Sequence, residues 1–270
     1  MQTVQTAVRD TAPAARASSG ARRLTFADLR ESLAEGWSDF LAKPSHNFLL
    51  GLIYPLVGFL LIRATSGGPT LPLIWPLISG FALVGPVATI GLMELSRRRE
   101  LGETPGWRDA LAPFGRPGGG AALRISLALF ALLAAWLATA QALSALILGD
   151  AEAATPAAFA GLVFGSAEGW LLILLGNAVG ALFAAAVLLI GAFSLPLALD
   201  GERSARRAMA GSVRAGVGNL RVMAVWGALV GSVLVASIAL GLVGLAVTLP
   251  VLAHANWRLH RRAFGPRRSA

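Results

Sequence analysis

Glu94, Asp200 and His254 are the ionisable residues that come closest to the long apolar stretches of this sequence. Each follows a proline by a few residues: Pro86, Pro196 or Pro250. Ionisable groups within a bilayer are costly and mark function where they occur, so these three would ring a polar vestibule or a proton entry. The plainer alternative is ordinary helix-end polarity, with Glu94 facing the Arg97–Arg99 cluster, and the sequence favours it. The centres of the apolar stretches carry no charge.

Other chemistry finds little material. There are three histidines (His46, His254 and His260) and no cysteine, which removes disulfides and thiolate metal sites. His254 and His260 are six positions apart, and six helical steps of about 100° point them in different directions. A haem or metal centre needs converging ligands, so no cofactor and no metal are expected. No Ser-His-Asp set, phosphate-binding glycine loop or metalloprotease motif can be assembled. The chain is expected not to be an enzyme.

The elements that hold these residues follow from composition. Of the 270 residues, 56% are apolar and only 14% charged, against about 25% charged in a soluble domain. A bilayer needs about 20 apolar residues per crossing. Apolar runs of that order cover 47–65, 71–95, 124–148 and 170–199. The first begins behind a long charged segment, so none reads as a cleavable signal. The last run, 222–257, is 36 residues long, about 54 Å as one helix. Length alone leaves a single tilted helix and a hairpin open.

Charge selects the hairpin. Basic residues stay on the cytoplasmic side. They fill 9–43, 97–124, 203–221 and 258–268, and only Arg63 lies in a remaining connection. A hairpin turning near 237–244 keeps 22 of 23 cations on one side. The predicted architecture is all-α: six transmembrane helices arranged as three hairpins, with spans at 47–65, 71–95, 124–148, 170–199, 221–237 and 240–257 and both termini cytoplasmic. Residues 1–24 read as a flexible tail, 25–257 as one membrane domain and 258–270 as a basic tail. The net charge of +9 then signals orientation and affinity for anionic lipid, not nucleic-acid binding.

Each hairpin is preceded by a short amphipathic cytoplasmic helix. Thr25 and Asp28 form a capping box ahead of Phe26, Leu29, Leu33, Trp37 and Phe40, a stripe suited to the headgroup layer. Trp107, Leu111 and Phe114 mark a second helix at 105–114, and Ser204 caps a third at 204–217. Pro86, Pro196 and Pro250 bend the three returning helices near their ends. Gly176 with Gly180, and Gly227 with Gly231, are spaced for close helix packing. Asn177 and Gln141 are placed to hydrogen-bond between spans. Tyr54, Trp75, Trp107, Trp136, Trp170, Trp226 and Trp257 read as interfacial anchors.

Five segments carry a resemblance: WSDF at 37–40, GFALVGPVATIGLMELSRRRE at 80–100, FSLPLALD at 193–200, SVRAGVGNLRVMAVW at 212–226 and LPVLAHANWRLHRR at 249–262. Over about residues 25–265 the chain resembles the bacterial family of predicted integral membrane proteins called domain of unknown function 2189. The resemblance implies a bacterial inner-membrane protein and assigns no activity. Some relatives bear a cytochrome oxidase subunit I label, but that chemistry needs several mid-membrane histidines, which are missing here. The function expected is that of a non-catalytic accessory, assembly or structural partner of a larger membrane complex, a respiratory one among the candidates. The alternative is a transporter or channel for a small apolar or amphipathic substrate.

Overall fold

The computed structural model describes residues 21–65, 73, 76, 89–149 and 155–265. These form α1 (Phe26–Ala42), α2 (Pro44–Gly51), α3 (Ile53–Thr65), α4 (Ile90–Glu100), a 3-10 helix (Trp107–Gly115), α5 (Gly119–Leu148), α6 (Pro156–Gly165), α7 (Ala167–Leu199), α8 (Ala205–Gly218), α9 (Leu220–Ala239) and α10 (Leu245–Phe264). No strand occurs among the described residues. Among the described residues, three helices, α5, α7 and α9, are long and apolar enough to cross a membrane. Most of the 71–95 stretch, including Pro86 and Trp75, lies outside the described residues. The 47–65 stretch is broken at Leu52 into α2 and α3.

The stretch 222–257 is divided between two helices, α9 and α10, joined by a turn. Gly241 and Leu242 adopt positive φ, +73° and +69°, and end α9 before α10 begins. A side chain rarely tolerates that conformation, so the turn is fixed by one glycine and one strained leucine. Ser237 and Thr248 share a hydrogen bond across the turn at 3.0 Å.

α10 is the axis of the fold. Its buried residues include Leu245, Leu249, Leu252, Ala255, Trp257, Leu259, His260 and Ala263, so neighbours surround it. Residues 258–264 therefore continue a packed helix, where a basic tail was expected. α1 runs antiparallel to α10 because Gly36 removes the side chain at their crossing: a Cβ there would stand 2.6 Å from Ala255 N. α2 continues the same path to Gly51, whose Cβ would stand 2.1 Å from Ala246 O. Residues 21–24, expected in the tail, are docked too, with Arg22 N donating to Ala263 O at 3.0 Å and Leu24 N to Asn219 Oδ1 at 2.6 Å.

The capping box on α1 forms as the sequence predicts, but the helix lies the other way round. It buries Asp28, Leu29, Ser32, Gly36, Asp39 and Phe40 and leaves Phe26 and Trp37 57% and 47% exposed. The reason is α10, whose arginines select the acidic face and whose backbone needs the glycine. The second short helix is 3-10 instead of α, with Pro113 inside it. Its Trp107, Leu111 and Phe114 all face outward. The third, α8, is capped by Ser204 as expected, but buries small residues, Ala205, Ala208, Gly211, Ser212 and Ala215. Of the supposed interfacial aromatics, Tyr54, Trp136, Trp226 and Trp257 are core residues. An additional short apolar helix, α6, folds back on α7 where the sequence reads as a connection.

Candidate functional site

α1, α4, α7 and α10 converge at the arginine-rich end of the fold, and their charged residues form a buried polar core there. Asp39 on α1 is its centre. Arg258 on α10 holds it with Nε and Nη2, at 3.0 and 2.8 Å. Arg99 on α4 reaches the same carboxylate at 2.5 Å. Ser96 Oγ completes the shell, 2.7 Å from Asp39 Oδ2 and 2.7 Å from His254 Nδ1.

Two further clusters flank this one. Glu94 is fully buried and accepts from Arg97 at 2.6 Å, Arg98 at 2.9 Å and Arg116 at 3.0 Å. The sequence's pairing of Glu94 with the 97–99 run thus covers Arg97 and Arg98, while Arg99 turns to Asp39. Asp200, at the end of α7, meets His260 Nε2 at 2.9 Å and Arg261 at 2.9 Å. Arg261 also contacts Glu100 at 2.8 Å and lies 4.4 Å over the Trp257 ring. The three candidate residues therefore share one layer, but each belongs to its own cluster. His254 and His260 do diverge, one toward Ser96 and the other toward Asp200.

At the rim, Arg262 joins Glu31 and Glu35 at 3.0 and 2.8 Å. Its hydrogen bond holds the Glu35 carboxyl below the usual carboxylate range. Burial alone would push the Asp28 carboxyl up, but the Thr25 backbone N–H and the Arg22 guanidinium outweigh it and lower it. Asn47 closes the end of α1 by donating to Asp39 O at 3.2 Å and Phe40 O at 2.9 Å.

A serine, a histidine and an aspartate do meet here, contrary to the expectation that no such set assembles. Their order differs from that of a nucleophile relay. Serine stands between the other two, and two arginines hold the Asp39 carboxylate. The single Ser96 hydroxyl proton must go to the Asp39 oxygen, because two acceptors 2.7 Å apart would repel. His254 then carries its proton on Nδ1 and donates it to Ser96 Oγ. All three side chains are buried: Asp39 at 3%, Ser96 at 0% and His254 at 1% exposure. This arrangement can orient and lock helices, and it leaves no hydroxyl lone pair facing a substrate. No group of His, Cys, Asp and Glu among the described residues is arranged to hold a metal ion.

The prolines are integrated in the same way. Proline lacks the N–H that would bond four residues back, so Pro196 frees the carbonyl of Ala192. Asn256 Nδ2 supplies the missing donor at 2.8 Å. Pro250 frees the carbonyl of Ala246, which Gly51 covers at close approach. One turn before Pro196, Ser212 bridges the α7 backbone, accepting from Phe193 N at 3.1 Å and donating to Leu189 O at 2.7 Å.

Of the paired glycines, Gly180 packs on Trp136 and Gly227 on Leu188, both large side chains, while Gly176 and Gly231 face open space. Asn177 bonds Ile173 O of its own helix at 2.8 Å, not another span. Cavities open among the described residues. One of about 430 Å3 lies between α5, α6 and α7, with Asn177 and Ser144 in its wall. A groove of about 480 Å3 opens between α7, α9 and α10.

Asp39, Ser96 and Arg258 escaped the sequence reading. Their partners are up to 219 positions apart, and each alone looks like a solvated helix-face residue. The signal present was the WSDF motif itself, where an aspartate interrupts an aromatic stripe next to a glycine.

Residues 74–200 match the family described as "Predicted integral membrane protein (DUF2189)", the family that the sequence motifs resemble. The matched stretch holds Glu94, Ser96, Arg99 and Asp200, and stops short of α1 and α10, which supply the opposing partners. No curated protein and no solved structure matches the chain. The match and the three long apolar helices among the described residues both point to an integral membrane protein.

Proposed function

We propose that the chain is a non-catalytic bacterial inner-membrane protein that serves as an accessory, assembly or structural partner of a larger membrane complex, a respiratory one among the candidates. Both termini are cytoplasmic, and six crossings are made as three hairpins. One observation supports a partner above all. α7 is 33 residues long, yet only 6% of its most apolar window is buried within the chain. Leu174 and Leu182 are 68% and 71% exposed, and Asn177 lies exposed among them. Lipid satisfies leucines but not the amide oxygen of Asn177, whose Nδ2 already bonds Ile173 O, whereas a second protein can satisfy both.

Against catalysis stands the polar core, whose carboxylates are held by arginines and line neither of the two cavities described above. The outward Phe26, Trp37, Trp107, Leu111 and Phe114 suit the headgroup layer beside it. Extraction in mild detergent from native membranes, followed by size-exclusion chromatography, tests the proposal. A stoichiometric companion that is lost from Asn177→Leu/Leu174→Ala is expected; a lone monomer from every preparation overturns it. The cavity walled by Asn177 and Ser144 favours a second reading, a transporter or channel for a small amphipathic substrate. Substrate-dependent flux in vesicles, lost on Ser144→Phe, would select that one.

A further inference from the structure

The groove between α7, α9 and α10 is walled by small side chains: Ala181 and Ala185 from α7, and Ala224, Ala228 and Gly231 from α9. The two helices touch at Gly227, where an added Cβ would stand 2.8 Å from Leu188 Cδ2. One turn later a Cβ on Gly231 would meet nothing within 4 Å, so the helices part and leave an apolar trough. Its volume of about 480 Å3 lies within the range of roughly 300–1,000 Å3 that ligand pockets occupy.

Beyond the residues that line the trough, α9 carries a cation. Arg221 lies one turn before Ala224 and two before Ala228, on the same helical face, and is exposed. Arginines elsewhere at this end (Arg97, Arg98, Arg99, Arg258, Arg261 and Arg262) are paired with carboxylates. Arg221 makes no ion pair or hydrogen bond with the described residues. Asn256 adds a polar spot to the wall, its Nδ2 already bonded to Ala192 O.

We propose that this trough binds one acyl chain of an anionic phospholipid, whose phosphate is held by Arg221. The trough supplies length and apolar walls for the chain, and the unpaired guanidinium supplies the one charge that complements a phosphodiester. A zwitterionic lipid offers the same acyl chain and less net charge. A second copy of the protein would need to bring an acidic group to a face that displays none. The inference rests on the membrane reading above.

Native mass spectrometry of the full-length protein in mild detergent, titrated with phosphatidylglycerol and with phosphatidylcholine, tests it. Wild type is expected to retain one phosphatidylglycerol per chain. Arg221→Gln is expected to lose about fivefold of the preference for phosphatidylglycerol, the effect of one basic side chain near an anionic headgroup. Gly231→Leu fills the trough without a clash and should abolish retention of both lipids; Ala228→Leu serves if that variant fails to fold. Arg206→Gln, at another exposed arginine, should change nothing. Retention unaltered in Gly231→Leu and Ala228→Leu overturns the proposal, as does a preference lost equally in Arg206→Gln. A dimer that dissociates in Gly231→Leu while lipid binding persists also overturns it, in favour of a second copy. Release of wild type from membranes by alkaline washing would instead overturn the membrane reading itself.

Discussion

Arg258 of α10 grips Asp39 of α1 through two nearly parallel hydrogen bonds, 3.0 and 2.8 Å long. The side chain of Asp39 is 2% exposed and Arg99 shares its carboxylate. A planar fork on a carboxylate fixes orientation as well as distance, so this pair sets how the first helix lies along the last.

Asp39→Ala removes the acceptor of two arginines and of Ser96 together. Breaking a buried pair from one side costs about 3–5 kcal/mol, and thermal unfolding in detergent should show a loss of that size. Glu103→Gln, at a carboxylate 47% exposed, is the control and should shift stability by less than about 0.5 kcal/mol.

Gly36→Val drives a branched side chain into the α10 backbone, where even a Cβ stands 2.6 Å from Ala255 N. Overpacking of this kind costs about 1–3 kcal/mol or more. Gly176→Ala meets open space and should be neutral or gain up to about 1 kcal/mol from helix propensity. The two melting curves, measured side by side, check the contrast.

Asn256 and Pro196 are coupled through a single carbonyl, that of Ala192. Asn256→Leu leaves it buried without a donor, at a cost of about 1–3 kcal/mol. In a Pro196→Ala background the helix regains its own N–H, and Asn256→Leu should then cost much less. A double-mutant cycle reads the difference directly.

Acid should loosen α1 from α10. Asp28 and Glu35 have carboxyls lowered from 3.8 and 4.5 in the folded protein. A lowered folded pKa means that their contribution is complete above the unfolded value and is lost as pH falls through the folded one. Protease resistance of α1 should therefore hold above about pH 4.5 and decline below about pH 4. Arg262→Gln, which removes the guanidinium beside Glu35, should flatten that decline.

With no native cysteine, single-cysteine labelling maps the sides of the membrane cleanly. Leu240→Cys at the tip of the α9–α10 turn, 74% exposed, should react with an impermeant maleimide in intact cells. Arg206→Cys should react only after lysis. Labelling of both from the same side would refute the hairpin topology.

Much of the scaffold could be read from the sequence because its causes are local. The capping box depends on residues three apart, and the α9–α10 turn falls within the 237–244 stretch that arginine counting selects. The polar core could not be read this way. Asp39 and Arg258 gain meaning only when helices more than 200 residues apart in sequence come together. The face that α1 buries failed for a related reason: hydrophobic periodicity assumes an apolar neighbour, and α10 presents guanidinium groups there. Likewise, the glycines that matter for close approach, Gly36 and Gly51, carry no paired spacing to single them out.

Because α1 and α2 lie along α10, helices made early in synthesis dock against one made about 200 residues later. Until α10 emerges, Asp39 has Arg99 but lacks Arg258, and Gly36 and Gly51 have nothing to press on. Emergence of α10 thus becomes the step that seats α1 and α2. Chains cut short before Leu245 would leave the ribosome with their first helices still undocked.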